Sequence, residues 1–238
     1  MRDSPDNPDG SLPVRLAAVR ERIARAAARS GRSPAAIRLV GISKTMPAGA
    51  IRAAAGAGLT DVGENRVQEA LQKMAVLADL GVRWHLVGHL QSNKARRAAE
   101  RFDVIHSIDS VEILRQVEAA AAAAGRTPAL LIQADLAGEP TKHGVPEREI
   151  DSVLEAAQGL SAAQLTGLML LPPFAEEAEA ARPYFRRLRE LRDRLARESG
   201  LPLPELSMGM SHDFEVAIEE GATMVRVGTA IFGERHRS

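Results

Sequence analysis

The chain has 238 residues, and its 31 Lys plus Arg balance 31 Asp plus Glu, so its formal net charge is zero. No global basic field is available to attract nucleic acid or an anionic membrane surface. The absence of cysteine excludes disulfides, thiolate nucleophiles and cysteine-bound metals. Hydrophobic residues make up 45% but aromatics only 3%, so Ala, Val, Leu and Ile must build the core.

The first ten residues contain acidic side chains and no apolar run, which is typical of neither a signal peptide nor a transit peptide. We expect residues 1–10 to form a flexible tail and residues 11–238 to form one domain. No apolar stretch approaches the roughly 18 residues that a membrane helix needs. These features predict a cytoplasmic protein.

A helix is predicted from Ser11 to Gly31, because Leu12, Leu16 and Val19 recur at helical spacing. Eight short apolar runs follow, with helix-forming stretches between them. The predicted strands are 37–43, 59–63, 83–90, 102–108, 129–136, 164–171, 204–209 and 224–232; helices are placed at 48–56, 66–80, 112–124 and 176–198. Repeated strand–helix units predict parallel strands with right-handed crossovers.

The strand count favours a (β/α)8 TIM barrel with an extra N-terminal helix, and a doubly wound open sheet is the alternative. In such barrels, ligands bind at the carboxyl ends of the strands. The polar residues just past the predicted strands are Ser43, Lys44, Glu64, Asn65, His89, 91–94, Ser107, Asp109, Glu139, Lys142, 207–211 and 226–229.

Lys44 follows an apolar strand, so its side chain starts from a rigid strand end. Partial desolvation of a lysine favours its neutral amine, which can attack an aldehyde and form an imine. A rim lysine or one that pairs a phosphate explains the position equally well.

A second set of candidates lies in the segments 207–221 and 224–235. Gly228 and Thr229 end a strand and begin a short helix, where backbone N–H groups and a hydroxyl suit a phosphate. Ser211 or Asp213 is predicted to cap another helix nearby. Arg226 alternates with two valines, so its guanidinium faces one side of the sheet, where it can pair an anion or donate to a ring nitrogen.

Metal ligation is not indicated. His85 and His89 are four apart in a predicted strand, a separation of about 13 Å, and the other four histidines show no ligand spacing. The basic stretch from Lys94 to Arg101 is interpreted as a solvated helix face rather than a nucleic-acid patch, because the net charge is balanced and aromatics are scarce.

Together these motifs closely resemble the YggS/PROSC family of pyridoxal 5'-phosphate (PLP) homeostasis proteins, which are built like the N-terminal barrel of alanine racemase. The resemblance covers most of the chain from Leu39 onward. It rests on GISKT (41–45), VGENRVQEA (62–70), WHLVGHLQSNKAR (84–96), SIDS (107–110), GLM (167–169), LSMGMSHDFEVAI (206–218) and VRVGTAIFGER (225–235).

The resemblance implies that PLP is the cofactor and that Lys44 holds it as a Schiff base. It implies further that Arg226 approaches the pyridine nitrogen, and it gives the remaining binding residues as Asn65, Met208, Ser211, Gly228 and Thr229. The implied role is intracellular PLP homeostasis without turnover, with PLP-dependent apo-enzymes as partners. We expect a monomer.

The alternative is a PLP-dependent amino-acid racemase. That reaction needs an acid/base group on each face of the substrate, and one lysine serves one face only. The single tyrosine, Tyr184, lies in a predicted charged helix.

Overall fold

The computed structural model describes residues 10–138 and 143–233. The predicted tail lies outside this part of the chain except for Gly10. The strands are β1 (Arg38–Ile42), β2 (Asp61–Glu64), β3 (Arg83–Leu86), β4 (Val104–Ile108), β5 (Ala129–Asp135), β6 (Val145–Pro146), β7 (Gln164–Leu170), β8 (Glu205–Ser207) and β9 (Met224–Val227). The α-helices are α1 (Leu12–Arg29), α2 (Ala48–Gly56), α3 (Val67–Val76), α4 (Ala95–Arg101), α5 (Val111–Ala124), α6 (Ile150–Ala157), α7 (Arg182–Ser199), α8 (Phe214–Glu219) and α9 (Thr229–Phe232).

Eight parallel strands close into a barrel. Around the barrel the order is β1, β2, β3, β4, β5, β7, β8 and β9, and the pairings β4–β5 and β9–β1 complete the ring. Within the described part of the chain, the two-residue strand β6 pairs only with the end of β5. The predicted TIM barrel is therefore confirmed, and the open sheet is excluded.

Most predicted elements have somewhat different bounds in the structure, and the differences reach four or more residues for β3, β9, α7 and α3, which ends at Val76 instead of residue 80. β3 ends at Leu86 instead of reaching residue 90, and β9 ends at Val227 because the chain turns into α9 at Thr229. α7 begins at Arg182, six residues later than predicted, after a 3₁₀ turn at 178–181. The helix predicted from Ser11 is α1, where Ser11 occupies the N-cap position without a side-chain capping bond.

The main hydrophobic core lies between the barrel and its helices. The apolar stripe of α1, including Leu16, Val19 and Ile23, is buried, and this helix packs against α8 and α9. A separate small cluster joins Val104 and Leu131, which lie on neighbouring strands, with Met169. Several buried residues of the strands are polar, in contrast to the layers of branched apolar side chains that usually fill such barrels.

No helix in the described ranges is both long and apolar enough to cross a membrane.

Candidate functional site

The sequence-predicted site residues lie at the carboxyl ends of four strands that are consecutive in the barrel. Lys44 follows β1 and Asn65 follows β2, while Arg226 lies in β9 near its end. The other predicted residues follow β8 or β9; they are Met208, Ser211, Gly228 and Thr229. Because β2, β1, β9 and β8 are neighbours, the fold brings all seven to one side of the barrel mouth.

Strand pairing places Lys44 near the Gly228 turn. β1 and β9 pair in parallel, with Val40 opposite Arg226. A Cβ atom added to Gly228 would lie 3.4 Å from the carbonyl oxygen of Ile42, so the two backbones are in close contact. Lys44 is two residues beyond Ile42 and is half-buried.

The backbone on both sides of Lys44 is held by side chains from α3. The carbonyl of Ser43 accepts a hydrogen bond from Nζ of Lys73 at 2.7 Å, and the N–H of Thr45 donates to Oε1 of Glu69 at 2.6 Å. Thr45 is a non-glycine residue in the left-handed region, with φ of 66°. A β-branched residue there is strained, so the surrounding contacts must impose this conformation.

A buried ion cluster supplies these contacts. Lys73 pairs with Oε1 of both Glu64 and Glu69 at 2.7 Å, and the Ser43 hydroxyl donates to Oε1 of Glu64. Burial raises the pKa of Glu64, although the hydrogen bonds from Lys73 and Ser43 oppose that shift. We call Lys73, Glu64 and Glu69 the α3 ion cluster.

The turn after β9 meets the loop after β8. Oγ of Ser211 accepts hydrogen bonds from the N–H of Gly228 at 3.1 Å and of Ala230 at 3.5 Å. In the β8 loop, Asp213 accepts from the N–H of Met210 at 2.6 Å and occupies the N-cap position of α8. The predicted phosphate corner is therefore one connected unit, in which Thr229 is exposed.

Asn65 and Met208 lie at the edges of this region. Met208 is fully buried and donates its N–H to the carbonyl of Met224 at 3.1 Å. The backbone of Asn65 is crowded by Gly88, because a Cβ at Gly88 would lie 2.2 Å from the Asn65 carbonyl oxygen. Only glycine allows the β3 loop to pass so close to Asn65.

The guanidinium of Arg226 is buried inside the barrel. Nη1 donates to Oγ of Ser207 at 2.6 Å and Nη2 donates to the carbonyl of Leu170 at 2.8 Å. Burial lowers the Arg226 pKa to about 10, partly offset by the charge of Asp213, so the side chain remains a cation at neutral pH.

Arg226 is one end of a line of buried polar groups. Oγ of Ser207 lies 2.8 Å from Nδ1 of His106, Nε2 of His106 lies 2.9 Å from Nδ1 of His85, and Nε2 of His85 lies 2.9 Å from Oδ1 of Asp61. β4 and β8 are not neighbours, so the contact between His106 and Ser207 crosses the barrel interior. We call these five residues the interior polar row.

Sequence reasoning did not find the interior polar row or Lys73. Ser207 and His106 are 101 residues apart, and no local spacing connects them. The one available signal was the alternation of side chains along a strand. It places His85 and His106 each on the same face of the sheet as the residues two positions away in their own strands.

Comparison with known proteins identifies the family. Residues 14–236 match the family model described as alanine racemase, N-terminal domain. The chain is 47% identical over 221 residues to the pyridoxal phosphate homeostasis protein of Aquifex aeolicus, covering 93% of this chain and 97% of that protein. It is 42% identical over 231 residues to the protein of the same name from Escherichia coli K12, covering 94% and 96%. The chain belongs to the pyridoxal phosphate homeostasis protein family.

Solved structures agree with that family. PipY of Synechococcus elongatus with PLP bound superposes with a TM-score of 0.84 at 40% identity, covering 94% of this chain and all of PipY. An alanine racemase of Clostridium difficile superposes with a TM-score of 0.71 at 14% identity, covering 95% of this chain and 60% of the racemase, and so shares the fold.

A further group of polar residues lies at other strand ends of this family member. His89, Asp109 and His143 each place one ligand atom within 4.8 Å of the others, a grouping that sequence spacing did not reveal. Nδ1 of His89 pairs with Asp109 at 3.1 Å, and the rings of His89 and His143 stack with centroids 3.6 Å apart and planes 10° from parallel. Nitrogen lone pairs lie in the ring planes, so stacked parallel rings do not direct them at one ion.

Two sequence candidates, Glu139 and Lys142, lie outside the described residues. The basic stretch is a 3₁₀ turn at 92–94 followed by α4, where Arg96 pairs with Glu100 at 2.9 Å on an exposed surface.

Proposed function

We propose that this chain binds PLP at the carboxyl ends of β8, β9, β1 and β2, with Lys44 holding the cofactor as a Schiff base. Its role is PLP homeostasis, in which cofactor is kept and passed on to PLP-dependent apo-enzymes without a turnover reaction. The observation that carries the proposal is the convergence of Lys44, Arg226 and the Ser211–Gly228 turn on one side of the mouth.

These groups match the chemistry of PLP. The Lys44 amine suits the aldehyde, while the hydroxyls of Ser211 and Thr229 offer donors for the phosphate, beside the Gly228 N–H that donates to Oγ of Ser211. Nη1 and Nη2 of Arg226 each donate one hydrogen bond to a protein group, so the guanidinium keeps further N–H donors for a ring nitrogen. Asn65 and Met208 complete the proposed set. The family relationship and the PLP-bound structure of PipY support this assignment.

The charge of Arg226 supports the absence of turnover. A cationic guanidinium can donate a hydrogen bond but cannot accept one, so it favours a ring nitrogen that carries no proton. PLP withdraws electrons from a bound amine, and it does so weakly when its ring nitrogen is unprotonated. A racemase would also need a second acid/base group, and Tyr184 lies in α7, packed against the hydrophobic core.

The test is the absorbance of the purified protein. An imine on Lys44 should give a band at about 420 nm after incubation with PLP, and Lys44→Ala should abolish it. Lys94→Ala is the matched control, because Lys94 lies in the 3₁₀ turn before α4 and belongs to no part of the proposed site. A colourless wild-type protein, or a band that persists in Lys44→Ala, would refute the Schiff base.

A second assay tests the absence of turnover. The PLP-loaded protein is incubated with D- or L-alanine and other single enantiomers, and the other enantiomer is measured. Robust interconversion would overturn the non-catalytic role and leave PLP binding intact.

A further inference from the structure

The interior polar row has a direction that follows from the chemistry of its members. Arginine can only donate hydrogen bonds, so Oγ of Ser207 accepts from Nη1 of Arg226. The single hydroxyl proton of Ser207 is then available for Nδ1 of His106, which lies 2.8 Å away. Ser207 thus accepts a hydrogen bond from Arg226 and donates one to His106.

The two histidines continue in the same direction. Because Nδ1 of His106 accepts, its proton is on Nε2 and is donated to Nδ1 of His85 at 2.9 Å. His85 then carries its own proton on Nε2 and donates it to Oδ1 of Asp61 at 2.9 Å. All four hydrogen bonds point from Arg226 towards Asp61.

The ionisation of these groups agrees with that direction. Burial lowers the pKa of His85, and burial together with the charges of Arg226 and Arg38 and the neighbouring His85 lowers the pKa of His106 well below its usual value. Both rings are therefore neutral, with one donor and one acceptor nitrogen each. Burial by itself raises the pKa of Asp61, but hydrogen bonds from His85 and other neighbours outweigh it and lower the pKa to about 2.

Asp61 is fixed at the far end of the barrel. Its carboxylate accepts from the Thr60 hydroxyl at 2.7 Å and pairs with Arg83 at 2.9 Å. A cavity of about 790 Å³ borders Arg38, Asp61, Arg83 and Glu205 there. The row therefore joins a cation near the barrel mouth to an anion near the opposite end through two neutral rings and a hydroxyl.

We propose that Ser207, His106, His85 and Asp61 are positioning residues for Arg226, and that they hold its guanidinium in one orientation, with an N–H directed at the PLP ring nitrogen. This inference rests on the proposed function, because Arg226 must contact PLP for the orientation to matter. The carbonyl of Leu170 fixes one terminal nitrogen, and the row fixes the other. With both nitrogens fixed, rotation of the guanidinium is restrained.

The direction of the row can be tested without cofactor. Nitrogen-15 NMR of the apo-protein, with His85→Gln and His106→Gln spectra for assignment, reports which ring nitrogen carries the proton. We expect both histidines to be neutral and protonated at Nε2. A proton on Nδ1 of either ring, or a charged ring at neutral pH, would contradict the proposed row whether or not the protein binds PLP.

The effect on Arg226 is tested with Ser207→Ala, which removes the link between the guanidinium and His106. We expect PLP affinity to fall roughly 10-fold, as is found when a partner that orients a ligand-binding group is removed. The pH at which the absorbance of bound PLP changes should also shift, because the donor near the ring nitrogen is no longer held. Loss of stability alone would not move that pH.

Two other variants keep the test interpretable. Thr166→Val removes another strand hydroxyl, one that donates to the carbonyl of Leu130 at 3.3 Å outside the row, and should leave affinity and pH profile unchanged. Ser207→Cys keeps a weak donor and should give an intermediate loss if Ser207→Ala folds poorly. If wild-type protein binds PLP and both Ser207 variants match Thr166→Val, the positioning role is wrong although the proposed function stands. If wild-type protein fails to bind PLP, the proposed function has failed.

Discussion

Two sides of the proposed site are held in different ways. Lys44 is fixed through its backbone, because the α3 ion cluster bonds the carbonyl before it and the N–H after it. Arg226 is fixed through its side chain, because Ser207 and the carbonyl of Leu170 each accept a hydrogen bond from one of its terminal nitrogens. In the α3 ion cluster the opposite charges are in direct contact. In the interior polar row the charges of Arg226 and Asp61 are separated by neutral groups.

The difference matches what each residue would do. A lysine that forms and breaks a covalent bond needs a rigid starting point together with a side chain that can move. An arginine that only donates a hydrogen bond needs a fixed direction. Backbone restraint suits the first requirement and side-chain restraint suits the second.

The largest expected effect comes from breaking the α3 ion cluster. Lys73→Met removes the cation and leaves the buried Glu64 carboxylate without its charge partner. Removal of one partner from a buried pair costs about 3–5 kcal/mol, so the free energy of unfolding in urea should fall by that amount. PLP affinity should fall as well, since the carbonyl before Lys44 loses its donor.

Matched variants separate the buried cluster from ordinary surface charge. Arg25→Met removes a cation from the exposed pair with Glu21 and should change stability by less than about 0.5 kcal/mol. Glu64→Gln in the Lys73→Met background should restore part of the loss, because the uncompensated charge is gone. A Lys73→Met protein as stable as Arg25→Met would show that the cluster does not stabilise the fold.

A smaller effect is expected from Asp61, and it depends on pH. The pKa of Asp61 is about 2 in the folded protein and below the ordinary value of about 3.9. The stabilisation of the fold by ionised Asp61 is therefore complete above about pH 3.9. The contribution is about 2 kcal/mol and is lost as pH falls from about 5 to 1, when the carboxylate is protonated. Urea unfolding of wild-type protein and Asp61→Asn across this range should show their stability difference shrinking with acid.

Asp79 provides the contrast for Asp61. It also has a lowered pKa, caused by a hydrogen bond from Arg52, but both side chains are largely exposed. Solvent screens such a pair, so Asp79→Asn should leave the pH dependence close to that of wild-type protein. If Asp61→Asn and Asp79→Asn show the same pH dependence of stability, Asp61 contributes no more to stability than an exposed ion pair does.

The sequence predicted the barrel and the strand-end candidates because both follow from local patterns. Short apolar runs separated by helix formers predict parallel strands, and ligand positions follow from where those strands end. β3 was predicted four residues too long, since the apolar pattern continues past Leu86 while the Gly88 contact with Asn65 takes the chain away from the sheet.

The supports of the site were not predicted because they depend on distant contacts. Lys73 lies on the buried face of α3 beside Ala70 and Met74, where an isolated lysine signals a buried partner that the sequence does not name. His106 meets Ser207 only because the barrel closes. Such contacts follow from closure and register, which sequence periodicity does not specify.

The smallest expected effect concerns the residue next to Lys44. Thr45 has φ of 66°, a conformation that asparagine tolerates much better than a β-branched residue. Thr45→Asn should therefore raise the free energy of unfolding by up to about 1 kcal/mol. Thr45→Ser keeps the hydroxyl that donates to the Lys44 carbonyl and shows how much of the change comes from that bond. If Thr45→Asn destabilises the protein more than Thr45→Ser does, asparagine does not relieve the strain at position 45. The backbone restraint beside Lys44 would then be weaker than we infer.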